Sequence, residues 1–285
     1  MTPTADDVYR ATGQKPKVFI NSLPKAGTHL LLSVLRLLPG FAFRRPILSR
    51  KLRRHPLNYL LFRQPETCLV GIGQPGRVKL AVLRRIIGRL PPGGFLMGHV
   101  PFQQGVQGVL QDAGARTLLM LRDPRDVVVS QVHYVLGKRS HFLHRHFRAL
   151  PSGEERLLAA ICGTGGEPDA PQSLGIAQKL TLILGWQGVD SVLSLRFEDV
   201  IGPQGGGDAA AQQTAILALG RHLGLGLSRA EAGEIGRRAF GRGGTYRQGQ
   251  IGGWRACFGP RVKTAFKAQA GEQLIQMGYE QDFNW

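Results

Sequence analysis

The stretch KVFINSLPKAGTHLLLSVLRLL at residues 17–38 indicates the class of fold. Its beginning is a short apolar run typical of a buried strand, and its end spaces leucines as an apolar helix does, up to Pro39 and Gly40. Between them, residues 22–28 contain the proline and glycine of a turn. A strand, a glycine-containing turn and a helix open a βα unit, so this stretch predicts the start of an α/β protein.

The rest of the chain continues the alternation of strands and helices. Further strands are predicted at residues 95–100, 115–121 and 191–197. Helices are predicted at residues 77–90, 101–113, 124–136, 172–187, 209–223, 228–240 and 261–277. This pattern predicts an α/β fold with a mostly parallel central sheet flanked by helices on both faces, a three-layer sandwich. No linker divides the chain, so one domain is expected at residues 17–285, after a flexible arm at residues 1–16.

The charge balance favours an anionic partner. The net charge is +18, from 37 basic and 19 acidic residues, which fits nucleic acid, acidic lipid or a polyanionic ligand. Residues 44–63 carry seven of the basic residues and no acidic one, interleaved with leucines and aromatic residues. Two interpretations stay open for this segment: a solvated face over core leucines, or an amphipathic segment that lies on an anionic membrane or receives an acidic acceptor.

Cysteine usage and hydropathy give expectations about compartment. Cys68, Cys162 and Cys257 are scattered without CxxC spacing, which argues against a disulfide framework or a zinc site. The first ten residues are polar and do not resemble a signal peptide. No uncharged apolar run reaches the roughly 18 residues of a spanning helix. The expected location is the cytoplasm, with peripheral contact to a membrane left open.

The turn PKAGTH at residues 24–29 is a candidate anion site. It follows the first predicted strand, where parallel sheets bind ligands, and it opens a helix whose free N–H groups suit a phosphate. Gly27 permits close backbone approach, Lys25 adds a charge and Thr28 adds a hydroxyl. The motif GxxxxGK[ST] instead places Lys after the last Gly. The turn therefore predicts a P-loop-like sandwich with an anion site; the alternative is an ordinary βα turn with a solvated lysine.

The segment RDPRDVVVSQVHY at residues 122–134 is a second candidate anion site. It also follows a predicted strand and opens a helix, with Pro124 in the first turn. Arg122 at the strand end and Ser130 two turns into the helix are spaced to converge on one anion, and Arg offers bidentate geometry. Asp123 fits an N-cap. The alternative is a capped helix with surface arginines.

Four segments in this order resemble the sulfotransferases that use adenosine 3'-phosphate 5'-phosphosulfate (PAPS). SLPKAGTHLL at residues 22–31 is similar to their 5'-phosphosulfate loop, which is close to PKSGTTWL. LRDPRDVVVSQVHY at residues 121–134 is similar to their 3'-phosphate segment, close to RNPRDxxVSxYH. LRFEDV at residues 195–200 is similar to a YED strand end, and YRQGQIGGW at residues 246–254 to an RKGxxGDW loop. The ordered set covers most of the chain and is more specific than any one segment.

The resemblance implies PAPS as donor, adenosine 3',5'-bisphosphate (PAP) as product, and no metal. It assigns the 5' end of the donor to the phosphosulfate loop, namely Lys25, Ala26, Gly27, Thr28 and His29. Lys25 would neutralise the oxygen between phosphate and sulfur, where charge develops as sulfur leaves. The loop departs from the family at two positions, because Ala26 replaces a frequent Ser and His29 a frequent Thr.

The resemblance also implies the contacts at the other end of the donor. The 3'-phosphate would be held by Arg122, Ser130, Arg247, Gln248 and Gly249. Phe197 stands on the adenine side, where the family often has a Tyr. Gln248 lacks the positive charge of the family's Lys, and Gly253 lacks the carboxylate of its Asp.

The acceptor needs a general base, and His99 is the candidate. The segment FLMGHVP at residues 95–101 ends a predicted strand and resembles the family's KTHLP, whose His is the usual base; Met97 replaces its Lys. His is also the side chain best suited to take a proton near neutral pH. The alternative is a strand-end His satisfied by backbone. The expected acceptor is a hydroxyl, less readily an amine, on a glycan, lipid, peptide or small molecule.

Other motifs and functions are weaker. GIGQPG at residues 71–76 matches GxGxxG but lacks the acidic residue of a dinucleotide site about 20 residues later. His141, His144 and His146 do not share one helix face, so an anion-facing or solvated cluster is favoured over a metal site. The alternative functions are a P-loop nucleotide-phosphate kinase, which lacks a Walker motif here, and a basic protein that binds nucleic acid or a membrane surface. No nucleic-acid partner is expected.

Overall fold

The central sheet has five parallel strands. In chain order they are β1 (Lys17–Ser22), β2 (Ala42–Pro46), β5 (Gly94–Gly98), β6 (Ala115–Leu121) and β9 (Val192–Arg196), and their spatial order is 2-5-1-6-9. The computed structural model describes residues 14–47, 49–58, 66–165, 170–241 and 249–285. All four strand pairings are parallel, which confirms the predicted sheet. The central β1 lies between β5 and β6, so the loops that follow these three strands meet at one edge.

Helices pack on both faces of the sheet. Those of eight residues or more are α1 (Thr28–Leu37), α3 (Leu80–Gly88), α4 (Gln104–Asp112), α5 (Pro124–Gly137), α7 (Gly153–Cys162), α8 (Ile176–Leu184), α10 (Ala209–His222), α11 (Arg229–Ala239) and α12 (Pro260–Gln276). The shorter ones are α2 (Ser49–Arg53), α6 (His144–Ala149) and α9 (Phe197–Ile201).

Two hydrophobic cores show the three layers. Val18 and Ile20 of β1 belong to one core with α1, α9, α10 and α11, whereas Phe19 belongs to the other with α3, α4, α5, α7, α8 and α12. Successive side chains of a strand point to opposite faces, so a strand buried on both sides reads as one apolar run. The predicted three-layer α/β architecture is therefore confirmed, while the single domain at residues 17–285 stays a prediction.

Several predicted boundaries are wrong. Residues 77–79 belong to β4 (Gly76–Lys79), which pairs antiparallel with β3 (Thr67–Val70), so the helix predicted at 77–90 starts only at Leu80. The segment GIGQPG lies in this hairpin and not after a strand of the parallel sheet. The helix predicted at 172–187 starts at Ile176, because β8 (Ser173–Leu174) pairs with β7 (Gly163–Thr164). Antiparallel pairing with a neighbouring strand overrides local helical periodicity in both cases.

The basic segment 44–63 contains two elements that the sequence analysis did not predict. Its first residues lie in the edge strand β2, and its middle forms α2; residues 59–63 lie outside the described residues. Leu52 is buried while Lys51 and Arg53 beside it are exposed, as a solvated face over a core leucine would be. Binding of a membrane or an acceptor by this segment stays a prediction. In the described part of the chain, no helix combines the length and apolarity needed to cross a bilayer.

Candidate active site

The loops after β1 and β6 meet in one cleft at the carboxyl edge of the sheet. The Arg122 guanidinium donates from Nη1 to the carbonyl oxygen of Lys25 at 3.2 Å. Eight of the predicted site residues besides Lys25 line the same cleft, namely Gly27, Thr28, His29, His99, Arg122, Ser130, Phe197 and Gly249. The two candidate anion sites are thus neighbours.

The turn at residues 25–28 is shaped by two residues with left-handed backbone. Lys25 has φ 73° and Gly27 has φ 101°, and α1 begins directly after them at Thr28. Among the described residues no side chain caps this helix, so the N–H groups of Thr28 and His29 remain available to an anion, whereas that of Leu30 donates to the carbonyl of Gly27. The Thr28 hydroxyl lies 2.6 Å from Oγ of Ser22. Ala26 differs from the rest of the loop, because its side chain is buried and its N–H donates to the carbonyl of Leu23, so neither lines the cleft.

Position 27 requires glycine because of its backbone conformation and because of the nearby Phe197 ring. A Cβ at this position would lie 2.5 Å from Cδ2 of Phe197 and would sit at a φ that L-residues rarely adopt. We expect Gly27→Ala to lower the free energy of unfolding by about 1–3 kcal/mol and to weaken PAP binding. Gly108→Ala is the matched control: with open space around that helical position, it should stabilise by about 0.5–1 kcal/mol. Denaturant unfolding checks both, and a stable Gly27→Ala protein with normal PAP affinity would contradict the assignment.

Arg122 is a largely buried cation, with 11% of its side chain exposed. Its Nη2 donates to the carbonyl of Gln250 at 2.9 Å, and its guanidinium stacks on the Phe197 ring at 4.2 Å. Burial lowers its pKa, against the opposing effect of Asp126 and Glu198, but an arginine remains charged at any physiological pH. Nε is buried and finds no hydrogen-bond acceptor in the described ranges. A phosphate in the cleft is suited to accept that bond.

The loop at residues 249–256 is fixed to the start of α5 by a carboxylate. Asp126 accepts from the backbone N–H of Gly252 at 2.8 Å and of Trp254 at 2.9 Å. Arg125 is buried between the rings of Trp254 and Trp285, 3.9 and 4.5 Å from the centroids. These contacts bring the loop to the cleft, which Gly249 and Gln250 both line. Arg247 and Gln248 lie outside the described residues, so their predicted contacts stay predictions.

Three polar residues that line the cleft were not predicted from the sequence: Asp126, Tyr134 and Gln250. Two of them carried a usable signal. Both lie on α5, Asp126 four residues before Ser130 and Tyr134 four residues after it, and residues four apart lie on one face of a helix. Gln250 has no comparable signal, because its position depends on the distant contacts of Asp126.

His99 lies just after β5, and one nitrogen of its ring forms a hydrogen bond to the backbone. Nδ1 is 2.8 Å from the carbonyl oxygen of Ser22, which can only accept, so Nδ1 carries the proton and Nε2 is left with its lone pair. Burial lowers the pKa of His99, the bond to Ser22 opposes this, and His29 and Lys25 lower it further. The ring is therefore neutral at pH 7. A neutral imidazole with a free lone pair in a cleft has the form that a general base requires.

A lysine outside the cleft is buried and has no carboxylate partner among the described residues. Lys179 on α8 is 3% exposed, and its hydrogen bond is a 3.4 Å contact with Oε1 of Gln131. Burial lowers its pKa to about 8. The folded protein therefore holds fewer protons than the unfolded chain between about pH 8 and 10.5, so this group makes stability rise with pH across that window.

We expect this rise to add about 2 kcal/mol to the free energy of unfolding between pH 8 and 10, and Lys179→Met to remove it. The pH dependence of urea unfolding measures the difference. The exposed Lys51 offers the same substitution as a control, and Lys51→Met should leave the wild-type pH dependence in place. Identical slopes for wild type and Lys179→Met would contradict the buried, unpaired state of this lysine.

Comparison with known proteins defines the fold. No protein-family model matches the chain, and no curated protein matches it. Mouse sulfotransferase SULT7A1 in complex with PAP is similar, with a TM-score of 0.61 and 14% identity, over 91% of this chain and 84% of that one. Two structures of retinol dehydratase are also similar, each with a TM-score of 0.51 and 15% identity. The complex with retinol and PAP matches over 90% of this chain and 81% of that one. The complex with androsterone and inactive cofactor PAP matches over 96% of this chain and 82% of that one.

The chain therefore has the fold of the PAPS-dependent sulfotransferases, as the resemblance implied. Likeness at this identity defines a fold and leaves the reaction to be argued from the cleft. Within the described residues, no group of three or more His, Cys, Asp or Glu side chains is placed to hold a metal ion.

Proposed function

We propose that this protein is a sulfotransferase that moves a sulfuryl group from PAPS to a hydroxyl, less readily an amine, by in-line displacement. One observation carries the proposal: the loops of Lys25 and Arg122 are joined at 3.2 Å in a cleft that His99 also lines. A nucleotide with phosphate at both its 5' and 3' positions needs two anion sites, and a transferred group needs a base beside one of them.

The 5'-phosphosulfate is proposed to bind the loop from Lys25 to His29. The first N–H groups of α1 and the Thr28 hydroxyl would hold its oxygens. Lys25 would stabilise the charge that grows on the bridging oxygen of PAP as the S–O bond breaks. Its ammonium also lies 4.4 Å from the centroid of the Tyr134 ring, which directs it along the cleft.

The 3'-phosphate is proposed to bind Arg122, Ser130 and the loop at residues 247–249. Arg122 would direct its unused Nε to the phosphate, and Ser130 on α5 would add a hydroxyl. Phe197 packs between Gly27 and Arg122, so it is proposed to contact the adenine by stacking and not by a hydrogen bond.

The transfer itself is proposed to use His99. The acceptor oxygen attacks sulfur, the bond from sulfur to the bridging oxygen of PAP breaks, and the hydroxyl proton passes to Nε2 of His99. The retinol and androsterone of the neighbouring structures support an alcohol as acceptor. Location in the cytoplasm, and contact with an anionic membrane through residues 44–63, stay predictions.

Titration calorimetry separates this function from the two alternatives. We expect PAP to bind with micromolar affinity in the presence of EDTA, and labelled PAPS to sulfate an alcohol. Binding of ATP that requires Mg²⁺, without binding of PAP, would favour a kinase. Binding of neither nucleotide, with salt-sensitive binding of DNA or anionic vesicles, would favour a basic surface-binding protein.

A further inference from the structure

Two lysine ammonium groups lie against the aromatic ring of Tyr134. Lys25 Nζ lies 4.4 Å from the ring centroid, and Lys138 Nζ lies 5.2 Å from it and donates to the phenol oxygen at 2.8 Å. Tyr134 lines the cleft, so Lys138 stands at the rim of the cleft, one aromatic ring away from the lysine proposed to hold the sulfuryl end of the donor. Lys138 belongs to neither of the proposed phosphate sites.

A third lysine lies behind this rim. The His141 ring meets the Tyr134 ring edge-on at 5.6 Å, and burial, Lys138, His144 and Lys179 all lower the pKa of His141, so its ring is neutral at pH 7. Lys179 is buried and contacts Gln131, which lies on α5 one turn before Tyr134. In the described part of the chain, neither Lys138 nor Lys179 forms an ion pair with a carboxylate. Lys138 is exposed to solvent, whereas Lys179 is buried, and a buried cation is normally paired because an uncompensated one is costly. An anion bound at this place would compensate Lys179.

An aromatic row accompanies these cations. The His141 ring stacks on Phe142 at 4.8 Å, and Phe142 is 42% exposed, one of two large hydrophobic side chains that the described residues expose to this extent. The row runs from Tyr134 in the cleft to the surface. Such a surface suits an apolar or flat body, with its acid directed to the cations.

We infer that the acceptor is a hydroxy acid: a molecule whose hydroxyl faces His99 and whose carboxylate, or other acidic group, binds a subsite formed by Lys138 with Lys179 behind it. The inference rests on the proposed function and names the class of acceptor for the same cleft. Neutral alcohols of the same shape would bind without this ion pair and be poorer acceptors.

Matched pairs of acceptors test the inference. The probes are 4-hydroxyphenylacetic acid and lithocholic acid, each beside its methyl ester, which keeps the hydroxyl and removes the charge. We expect kcat/KM for labelled PAPS transfer to be about tenfold higher for an acid than for its ester in wild type. In Lys138→Met this ratio should approach one. Arg139→Met, which removes an exposed cation next to it, should keep the wild-type ratio.

Every outcome decides the inference. Equal rates for acid and ester, a preference for the esters, or a ratio that Lys138→Met does not change would overturn it. If no compound is sulfated, calorimetry of the acids against PAP-loaded enzyme replaces the assay, and absence of binding also overturns it. PAP binding in the same preparation distinguishes failure of this inference from failure of the proposed function. If the acid preference is absent and PAP binds normally, only the acceptor class is wrong. If PAP does not bind, the proposed function itself is refuted.

Discussion

Lys25→Ala is expected to lower kcat for sulfuryl transfer by about 10²–10³-fold, while PAP still binds. The ammonium would act where charge develops on the bridging oxygen, so its contribution is larger in the transition state than in the bound donor. Single-turnover transfer from labelled PAPS measures the loss. Because only the side chain is removed, the carbonyl of residue 25 can still accept from Arg122.

The backbone of Lys25 provides a sharp control. Its φ of 73° is strained for a residue with a Cβ but not for glycine. Lys25→Gly should therefore be at least as stable as wild type, and yet as inactive as Lys25→Ala. Lys25→Arg keeps the charge and should retain part of the rate. If Lys25→Gly transferred sulfate at the wild-type rate, the proposed role of the ammonium would be wrong.

His99→Asn is expected to lower kcat by about 10²–10⁴-fold with unchanged affinity for PAP. An asparagine amide can replace Nδ1 as the donor to the carbonyl of Ser22, so this variant removes the lone pair of Nε2 and preserves the local fold. His99→Ala should lose as much activity and also some stability. Stopped assays with saturating donor and acceptor measure kcat, and calorimetry measures PAP binding.

The pH profile adds an independent check on the base. Burial lowers the pKa of His99 below its ordinary 6.5, so the base is already neutral at pH 7. The wild-type kcat should be flat around neutrality and fall only on the acidic side of 6.5, as the imidazole becomes protonated. In His99→Asn that acid limb should vanish. Normal turnover by His99→Asn, or an unchanged acid limb, would show that another group takes the proton.

The parts of the fold that were predicted correctly are those whose signals are local. The strand β6 and the helices α5, α10, α11 and α12 have ends within a residue or two of their predicted positions. A run such as ARTLLML is buried on both faces, and Pro124 and Asp123 mark the start of the next helix. The cleft followed from the same logic, since parallel strands bring their carboxyl ends to one edge.

The parts that were missed depend on long-range contacts. The edge strand β2 exposes Arg44 and Arg45, so its sequence lacks the apolar run of a central strand, and only its pairing with β5 defines it. The position of the loop at residues 249–256 likewise depends on the carboxylate of Asp126, more than 120 residues earlier. Charge composition indicated an anionic partner, but it did not predict that Lys25 and Lys138 would both lie against the ring of Tyr134.

Two separate anion sites are proposed to bind the two ends of one nucleotide. A calorimetric comparison of PAP with adenosine 5'-monophosphate is the sharpest test of this proposal. Wild type should bind PAP at least tenfold more tightly, because only PAP places a phosphate at Arg122. Arg122→Met should reduce PAP affinity to that of the monophosphate and leave the monophosphate unaffected. Equal affinities in wild type, or an equal loss for both ligands in Arg122→Met, would contradict the two-site account.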